Sequence, residues 1–149
     1  MVKINLGCGY RKIPDFINID NRAEVKPDLV CDCMELPYET STVDVVVAQD
    51  YLEHIPTGKT VDQITEIWRV LKHGGKLLHV TPSTDGRGAF QDPTHKSFWN
   101  INSWFYYMDD EYRNQCGIDA KFEGVNVDLW TDGKVCHTHG HLIAVKEVK

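Results

Sequence analysis

Short apolar segments separated by turn-forming residues fill the first half of the chain. This pattern predicts strands over residues 3–6, 16–20, 28–31, 43–49 and 76–80. The fourth of these segments contains a run of valines, which is typical of a central parallel strand that is buried on both faces.

Apolar residues recur at helical spacing in two places. Residues 60–73 fit one amphipathic helix, which Gly74 and Gly75 would end. A polar loop is predicted over residues 81–100. A second helix is predicted to begin at residue 102 or 103 and to end near residue 114.

The C-terminal part of the chain has the pattern of a β-hairpin. Segments 124–130 and 135–148 flank a turn at residues 131–134, where Asp132 and Gly133 are typical turn residues. Parallel strands, crossover helices and a closing antiparallel hairpin together predict an α/β fold with three layers and a mostly parallel sheet.

Two connections between the early strands are too short to hold a helix. Six residues (10–15) join the first strand to the second, and seven (21–27) join the second to the third. A parallel crossover normally needs at least about 10–12 residues. One face of the sheet is therefore predicted to carry few helices, and we expect either a partner subunit, as in a homodimer, or the aromatic stretch at residues 98–107 to cover it.

Composition restricts the class of partner. The chain has 149 residues, which fit one domain spanning 1–149, and its formal net charge is −6. This charge disfavours nucleic acid and anionic membrane surfaces as partners. The five cysteines have no framework spacing, and the sequence has neither a signal-peptide core nor 18 consecutive apolar residues. These features predict a cytoplasmic protein with reduced thiols.

A glycine turn follows the first predicted strand directly. Gly7 and Gly9 would let the backbone turn sharply and approach a ligand without an intervening side chain. Asp20 ends the next strand, 11 residues after Gly9, where a carboxylate can accept hydrogen bonds from both hydroxyls of a ribose. Alternatively, this is an ordinary glycine turn near a solvated aspartate.

Five segments, of which the glycine turn is the first, indicate a particular protein family. They are L-G-C-G at 6–9, D-C-M-E-L-P-Y at 32–38, V-D-V-V at 43–46, L-E-H-I at 52–55 and R-V-L-K-H-G-G-K-L at 69–77. In order and spacing they resemble the class I S-adenosylmethionine-dependent methyltransferases, and within these the type-11 methyltransferase-domain group. The resemblance covers residues 4 to about 82, and the missing first helix is similar to a short subgroup. It implies a Rossmann-like methyltransferase sheet.

The same resemblance implies S-adenosylmethionine as the cofactor and a role for seven residues in holding it. The backbone of Gly7, Cys8 and Gly9 would contact the amino-acid part of the cofactor. Asp20 would bind the ribose. The remaining three residues would contact the adenine and the sulfonium end.

Within that set, Asp32 would accept from the adenine amino group, and the amide of Cys33 would meet a ring nitrogen. Gln49, at the end of the fourth strand, would lie below the methionine part. The family's usual third glycine is replaced by Tyr10-Arg11-Lys12. The partner of the cofactor carboxylate is therefore open, with Arg11 and Lys12 as the candidate cations.

Histidines supply the candidates for acceptor chemistry. Asp92-Pro93-Thr94-His95 resembles a segment of some short family members, including phage and bacterial surface-glycan types. His95 could remove a proton from an acceptor while Asp92 orients it, and His54 should also lie at the edge of the site. Alternatively, these histidines only stabilise their loops by binding backbone atoms.

Alternating histidines near the C-terminus form a second cluster. His137, His139 and His141 would share one face of a strand, and Cys136 would point to the opposite face. Such an array can bind zinc or copper. Because no carboxylate or thiol ligand is placed with it, a polar strand face is the favoured interpretation, and no residue is assigned to a metal.

The aromatic stretch at 98–107 admits two functions that are compatible. Phe98 and Trp99 could wall an acceptor pocket. Trp104, Phe105 and Met108 fit one packed face of a helix.

The sequence thus predicts methyl transfer from S-adenosylmethionine to a small-molecule or carbohydrate-like acceptor, with oxygen preferred. A non-catalytic S-adenosylmethionine-binding module is the alternative. A nucleic-acid methyltransferase is disfavoured by the net negative charge. It is also disfavoured because Gln49-Asp50-Tyr51-Leu52 stands at the end of the fourth strand in place of an Asn/Asp-Pro-Pro-aromatic motif. A dehydrogenase is disfavoured because Lys12 stands where G-x-G-x-x-G needs glycine.

Overall fold

The computed structural model describes residues 1–147. Within them seven strands form, at Lys3–Leu6 (β1), Ile17–Asp20 (β2), Leu29–Val30 (β3), Val43–Gln49 (β4), Leu71–Pro82 (β5), Phe122–Thr131 (β6) and Cys136–Ala144 (β7). The α-helices of the same residues are Thr60–Val70 (α1), Gly88–Gln91 (α2), Phe105–Met108 (α3) and Asp110–Cys116 (α4). All five strands predicted in the first half are present, two of them with shorter ends.

The strands form one sheet in the order β3-β2-β1-β4-β5-β7-β6. Strands β1 to β5 are parallel, β7 pairs antiparallel to β5, and β6 pairs antiparallel to β7. The predicted α/β sheet with a closing antiparallel hairpin is therefore confirmed. The chain leaves β1 towards β2 on one side and returns to β4 on the other, so a crevice forms beyond the carboxyl ends of these strands, where open α/β sheets bind ligands.

One face of the sheet carries the hydrophobic core. Ile4 lies beside Val46, and Val46 lies beside Leu77, so these fully buried side chains form one row across the sheet. Ile64 and Ile67 of α1 belong to the same buried cluster. The alternation of strand side chains places every second residue on this face.

The opposite face is only partly covered. Val45 and Val47 are half-buried, and Leu78 on the neighbouring strand is 36% exposed. The prediction that β4 is buried on both faces is therefore wrong for a single chain. The physical reason is the pair of short connections before β2 and β3, which contain no α-helix, so the predicted shortage of helices on one face is confirmed.

The aromatic stretch does not cover that open face. The Trp104 ring stacks on the His79 ring with centroids 3.8 Å apart, and it also stacks on Trp99. His79 lies beside Ala48 on the core face, and Trp104 is fully buried in the core cluster. The expectation that residues 98–107 cover the thin face is wrong, because these rings fill the core beside α1.

A polar network replaces the missing helix between β1 and β2. The Asn18 side-chain oxygen accepts hydrogen bonds from Asn5 Nδ2 (2.9 Å) and from the amide of Ile13 (2.8 Å). The Asn18 side-chain nitrogen donates to the Ile13 and Phe16 carbonyls and to Asp28 Oδ2. Both asparagines are buried, so the six-residue connection is pinned to the sheet by side-chain hydrogen bonds.

Helix α1 is shorter than predicted. It ends at Val70, and Leu71 adopts extended backbone and pairs with Val43. The next pair is Val45 with Lys76, so residues 72–75 bulge out of the strand, and Gly74 takes the positive φ of 77° there. The predicted end at residue 73 is wrong because pairing of the buried Leu71 in the sheet outweighs its helical periodicity.

The second predicted helix is broken into shorter pieces. A 3₁₀ turn at Ile101–Trp104 leads into α3, and Asp109 then adopts extended backbone. The Asp109 carboxylate caps α4 by accepting from two amides of its first turn. The predicted polar loop over 81–100 also contains α2 and a bridge between Ser83 and Trp99.

The C-terminal hairpin is confirmed, with strands slightly displaced from the predicted segments. Residue 148, the predicted end of its last strand, lies outside the described residues. Among residues 1–147, no helix combines the length and the apolar character that a membrane span requires.

Candidate active site

A cavity of about 700 Å³ lies beyond the carboxyl ends of β1, β2 and β4. Small-molecule sites typically have volumes of about 300–1,000 Å³. All seven residues that the sequence assigns to the cofactor line this cavity: Gly7, Cys8, Gly9, Asp20, Asp32, Cys33 and Gln49. Residues far apart in the sequence thus converge on one concave surface.

Gly7 forms the floor of the cavity next to an aromatic ring. Its φ is +58°, and a Cβ atom added there would lie 2.2 Å from Cδ2 of Tyr51. Gly9 also has a positive φ, of +49°. The turn therefore needs glycine both for its backbone conformation and for the close approach of Tyr51.

Asp20 is fixed directly beside the glycine turn. Its Oδ2 accepts from the Gly9 amide at 2.8 Å, and its Oδ1 accepts from the Arg22 amide at 2.9 Å. Burial acts to raise the pKa of Asp20, but the hydrogen bonds from Arg22 and Gly9 outweigh burial and hold the pKa below its usual range. The carboxylate is therefore ionised at neutral pH, and Oδ2, which accepts from the Gly9 amide, retains capacity to accept from a ribose hydroxyl as well.

Arg22 is a site residue that the sequence analysis missed. Its Nε lies 3.3 Å from Asp20 Oδ1, and its terminal nitrogen reaches within 3.4 Å of where a Gly9 Cβ would stand. The guanidinium thus covers the approach to Asp20, while about half of the side chain remains exposed to solvent. The available signal was a basic residue two positions after the strand-terminal aspartate.

Hydrogen bonds to α1 position the predicted adenine end of the cavity. Tyr51 donates its hydroxyl to Gln63 Oε1 at 2.7 Å, and Gln63 Nε2 donates to the Cys33 carbonyl at 3.0 Å. Burial raises the pKa of the Cys33 thiol to about 12, so the thiol stays protonated and unreactive. Asp32 lines the cavity as well, with one oxygen accepting from the Met34 amide.

Arg11 is the cation at the predicted methionine end. It lines the cavity and pairs with Asp50 at 2.7 Å, whereas Lys12 donates to the Lys26 carbonyl. Asp50 adopts a positive φ of 49° directly after Gln49. Non-glycine residues in this conformation carry strain and are concentrated at functional sites.

The two candidate histidines differ in how far their side chains are buried. His54 lines the cavity, together with Thr94. His95 lies behind it with a side chain that is 7% exposed, and the two rings meet edge to face with centroids 5.3 Å apart. Asp92 Oδ2 lies 3.6 Å from His95 Nε2, which is too long for a hydrogen bond. The residue that faces the cavity is therefore His54.

The C-terminal histidine array lies on the open face of β7. His137 Nε2 is 4.0 Å from Asp50 Oδ1, and its ring packs against Trp130. In the part of the chain that the structure describes, His137, His139 and His141 are not among the side chains whose ligand atoms cluster closely enough for a metal ion.

The cavity fits the chemistry of S-adenosylmethionine. The glycine turn offers backbone where a Cβ would clash, Asp20 offers an ionised acceptor, and Arg11 offers a cation for a carboxylate. All of these groups line one cavity. They match the amino-acid and ribose parts of the molecule in kind.

Comparison with known proteins decides the family. Residues 6–79 match the family described as "Methyltransferase domain". The chain belongs to this methyltransferase family. The resemblance to class I S-adenosylmethionine-dependent methyltransferases is thereby confirmed, and the family implies S-adenosylmethionine as the cofactor.

A curated relative and two solved structures are similar to this methyltransferase. An uncharacterized protein of Methanocaldococcus jannaschii is 30% identical over 95 residues, which are 55% of this chain and 41% of the relative. The chain thus spans about two-fifths of that relative's length. An S-adenosylmethionine-dependent methyltransferase from Methanosarcina mazei has a TM-score of 0.73 at 17% identity, covering 97% of this chain and 92% of that one.

The same fold also occurs in a protein that is named as a cyclase and not as a methyltransferase. The [4+2]-cyclase SpnF superposes with a TM-score of 0.69 at 14% identity, covering 97% of this methyltransferase and 74% of the cyclase. At such identities the similarity shows the fold alone. The reaction of this chain must be argued from its own side chains.

Proposed function

We propose that this methyltransferase transfers a methyl group from S-adenosylmethionine to a hydroxyl oxygen of a small-molecule or carbohydrate-like acceptor. One observation carries the proposal: the seven predicted cofactor residues line the same cavity as His54. A bound sulfonium supplies an activated methyl group. The protein's part is to hold the acceptor oxygen in line with it and to exclude water.

His54 is the proposed base. Its ring lines the cavity, and imidazole is the side chain that most often serves as a general base. The cofactor, if held by the glycine turn and Asp20, would supply its methyl carbon to the acceptor oxygen and leave as a neutral thioether. His54 then takes the hydroxyl proton. His95, whose ring meets the His54 ring edge to face, is the proposed positioning residue, and Asp92 Oδ2 lies 3.6 Å from His95 Nε2.

An uncharged hydroxylated molecule is favoured over a nucleic acid as the acceptor. The chain carries a net charge of −6, and the cavity is lined by three aspartates (Asp20, Asp32 and Asp50) against two arginines (Arg11 and Arg22). A polyanion would be repelled there, whereas an uncharged hydroxylated molecule would not. Neither a nucleic acid nor a membrane is part of the proposal.

Non-catalytic binding of S-adenosylmethionine is the second candidate. Arg22 covers Asp20, and the buried ring of His95 does not line the cavity. A protein of this kind would bind the cofactor without turnover. It would bind with the same Asp20 dependence, so only the detection of product separates the two candidates.

A homodimer is the proposed assembly. The half-buried apolar side chains Val45, Val47 and Val80 and the exposed Leu78 form a patch on the open face of the sheet. We call this the open-face patch. A run of valines in a central strand favours burial on both faces, and a second copy of the chain would provide it.

All five cysteines are free thiols, which supports a cytoplasmic location.

The test is methyl transfer from radiolabelled S-adenosylmethionine into a panel of sugars and phenols. Labelled product in wild type and its loss in His54→Ala, with cofactor affinity retained, supports the proposal. Labelled product at an equal rate in His54→Ala removes His54 as the base. Cofactor binding with no labelled product favours the binding module.

A further inference from the structure

We propose that Glu53, His54 and His95 bind a divalent transition-metal ion at the acceptor edge of the cavity. One ligand atom from each of these side chains lies within 4.8 Å of the other two. Two imidazoles and one carboxylate form a donor set that suits zinc, cobalt(II) or iron(II) better than magnesium or calcium. Such a set leaves coordination positions open for other ligands.

The backbone holds these residues together. Glu53 and His54 belong to the 3₁₀ turn after β4, and His95 lies on the loop after β5. The Glu53 carbonyl accepts from the Lys96 amide at 2.7 Å and from the Ser97 amide at 3.1 Å. The two ligand-bearing segments are therefore joined directly beside the cluster, which limits the cost of ordering it.

Both histidines leave Nε2 available as a ligand. His95 Nδ1 lies 2.9 Å from the Ala89 carbonyl, and His54 Nδ1 lies 3.3 Å from the Thr94 carbonyl. A carbonyl only accepts, so Nδ1 carries the hydrogen in both rings and Nε2 keeps its lone pair. Metal-binding histidines are commonly oriented by this kind of hydrogen bond from the other nitrogen.

Glu53 gives the cluster its charge. The residue is 2% exposed, and its Oε2 accepts from Thr81 Oγ1 at 2.7 Å. No lysine or arginine of residues 1–147 forms an ion pair with it. A buried carboxylate without a cationic partner is costly, and a divalent cation between Glu53 and the two imidazoles would remove that cost.

Binding requires a small contraction of the cluster. Ligand bonds of about 2.0–2.2 Å place the donor atoms of one site roughly 3–4 Å apart, so the side chains would close by about 1 Å. Asp92, with Oδ2 3.6 Å from His95 Nε2, adds negative charge beside the ion.

The metal site rests on the proposed function for its role in catalysis and changes the part of His54. With Nε2 bound to the ion, His54 would hold the metal, and the metal-bound hydroxyl would give its proton to water instead. His54 also lines the cavity, so an ion held by this residue would lie beside the acceptor. A metal ion lowers the pKa of a hydroxyl bound to it and orients a second oxygen of the same molecule. The acceptor class is therefore a molecule with two adjacent oxygens, such as a vicinal diol.

Metal uptake can be measured without any acceptor. Untagged, chelator-treated protein is titrated with Zn²⁺ by calorimetry and with Co²⁺ by visible absorption, and Mg²⁺ serves as the comparison ion. We expect one Zn²⁺ per chain, a cobalt absorption band from nitrogen and oxygen ligands, and at least 100-fold weaker binding of Zn²⁺ to Glu53→Gln and His95→Gln. His139→Gln is the matched control and should bind as wild type does.

Cofactor affinity is measured on the same variants to separate the two proposals. Affinity for S-adenosylmethionine within about twofold of wild type in Glu53→Gln or His95→Gln shows that the variant is folded. No binding of Zn²⁺ to wild type, or equal binding to both folded variants, overturns the metal site. Loss of Zn²⁺ binding in His139→Gln alone also overturns it. Absence of S-adenosylmethionine binding to wild type overturns the proposed function but leaves Zn²⁺ uptake as an independent result.

Discussion

The amide of Gly9 donates a hydrogen bond to Oδ2 of Asp20 at 2.8 Å. This bond joins the turn after β1 to the end of β2 directly, although the six residues 10–15 provide no crossover helix between them. The glycine turn and the carboxylate are thus held in direct contact on the lining of the cavity. The cavity predicted for the cofactor forms although no α-helix connects β1 to β2, because side-chain hydrogen bonds replace helix packing there.

Substitution of Gly7 tests the floor of the cavity. In Gly7→Ala the new Cβ would stand 2.2 Å from the Tyr51 ring, so the ring must leave its place. We expect strain of about 1–2 kcal/mol from the positive φ, a further cost of about 1–3 kcal/mol from overpacking, and a loss of S-adenosylmethionine affinity of at least tenfold.

The matched control is Gly74→Ala. Gly74 also has a positive φ, of +77°, but a Cβ there meets no atom within 4 Å. Urea denaturation should show only the strain for this variant, and calorimetry should show unchanged cofactor affinity. Equal effects of the two substitutions would mean that contact with Tyr51 does not matter.

The sequence predicts the parallel half of the fold well because its signals there are local. The valines of β4, the glycine turn and Asp20 each reveal a strand or its end from a few neighbouring residues. The seven cofactor residues converge because carboxyl ends of parallel strands share one edge of a sheet. Their positions therefore follow from the order of strands.

Long-range packing explains what the sequence does not predict. Leu71 leaves the helical pattern because it pairs with Val43 in the sheet, and Asp109 breaks the second helix to cap α4. The covering of Asp20 by Arg22 and the burial of His95 depend on loop conformations that no periodicity encodes. Tertiary contacts decide such details.

His79 should make the protein less stable in acid. Burial lowers the pKa of His79 to about 3, and neither ring nitrogen has a hydrogen-bond partner within the described part of the chain. The unfolded chain binds this proton below about pH 6.5, whereas the folded protein does not. The free energy of unfolding should therefore fall as the pH falls from about 6.5 towards 3, by up to about 1.4 kcal/mol per pH unit from this residue.

Urea denaturation between pH 7 and pH 4 measures this slope. His79→Leu should reduce it, while His73→Gln, at an exposed position on the bulge of β5, should leave it unchanged. A slope that is the same in wild type and in His79→Leu would show that His79 does not control acid stability.

Loss of the Asn18 side chain should destabilise the sheet near the cavity. Asn18→Ala removes the acceptor of the half-buried Ile13 amide and of one Asn5 Nδ2 hydrogen, while Asn5 Nδ2 still donates to the Arg11 carbonyl. A buried polar group left unsatisfied costs about 1–3 kcal/mol. We expect a loss of about 1–3 kcal/mol in the free energy of unfolding by urea. Asn102→Ala, at an exposed position, should cost less than about 0.5 kcal/mol. A small effect at both positions would contradict the role of the network.

The proposed homodimer is tested by sedimentation equilibrium. Wild type should show twice the mass of one chain, and Leu78→Lys, which places a charge in the open-face patch, should be monomeric. Val61→Lys is the control, because Val61 is similarly exposed but lies on α1, across the sheet from the patch. A wild-type monomer at high micromolar concentration, or a dimer that persists in Leu78→Lys, would rule out this interface.

Calorimetry tests most directly whether the cavity lined by Gly9 and Asp20 holds S-adenosylmethionine. We expect one molecule to bind per chain with micromolar affinity, and NAD not to bind. Asp20→Ala should weaken binding about 10- to 100-fold, as expected for the loss of hydrogen bonds to a charged group. Asp28→Ala, which loses comparable hydrogen bonds from Asn18 outside the cavity, should retain the affinity. No binding at millimolar cofactor, or equal affinity in Asp20→Ala, would contradict the account.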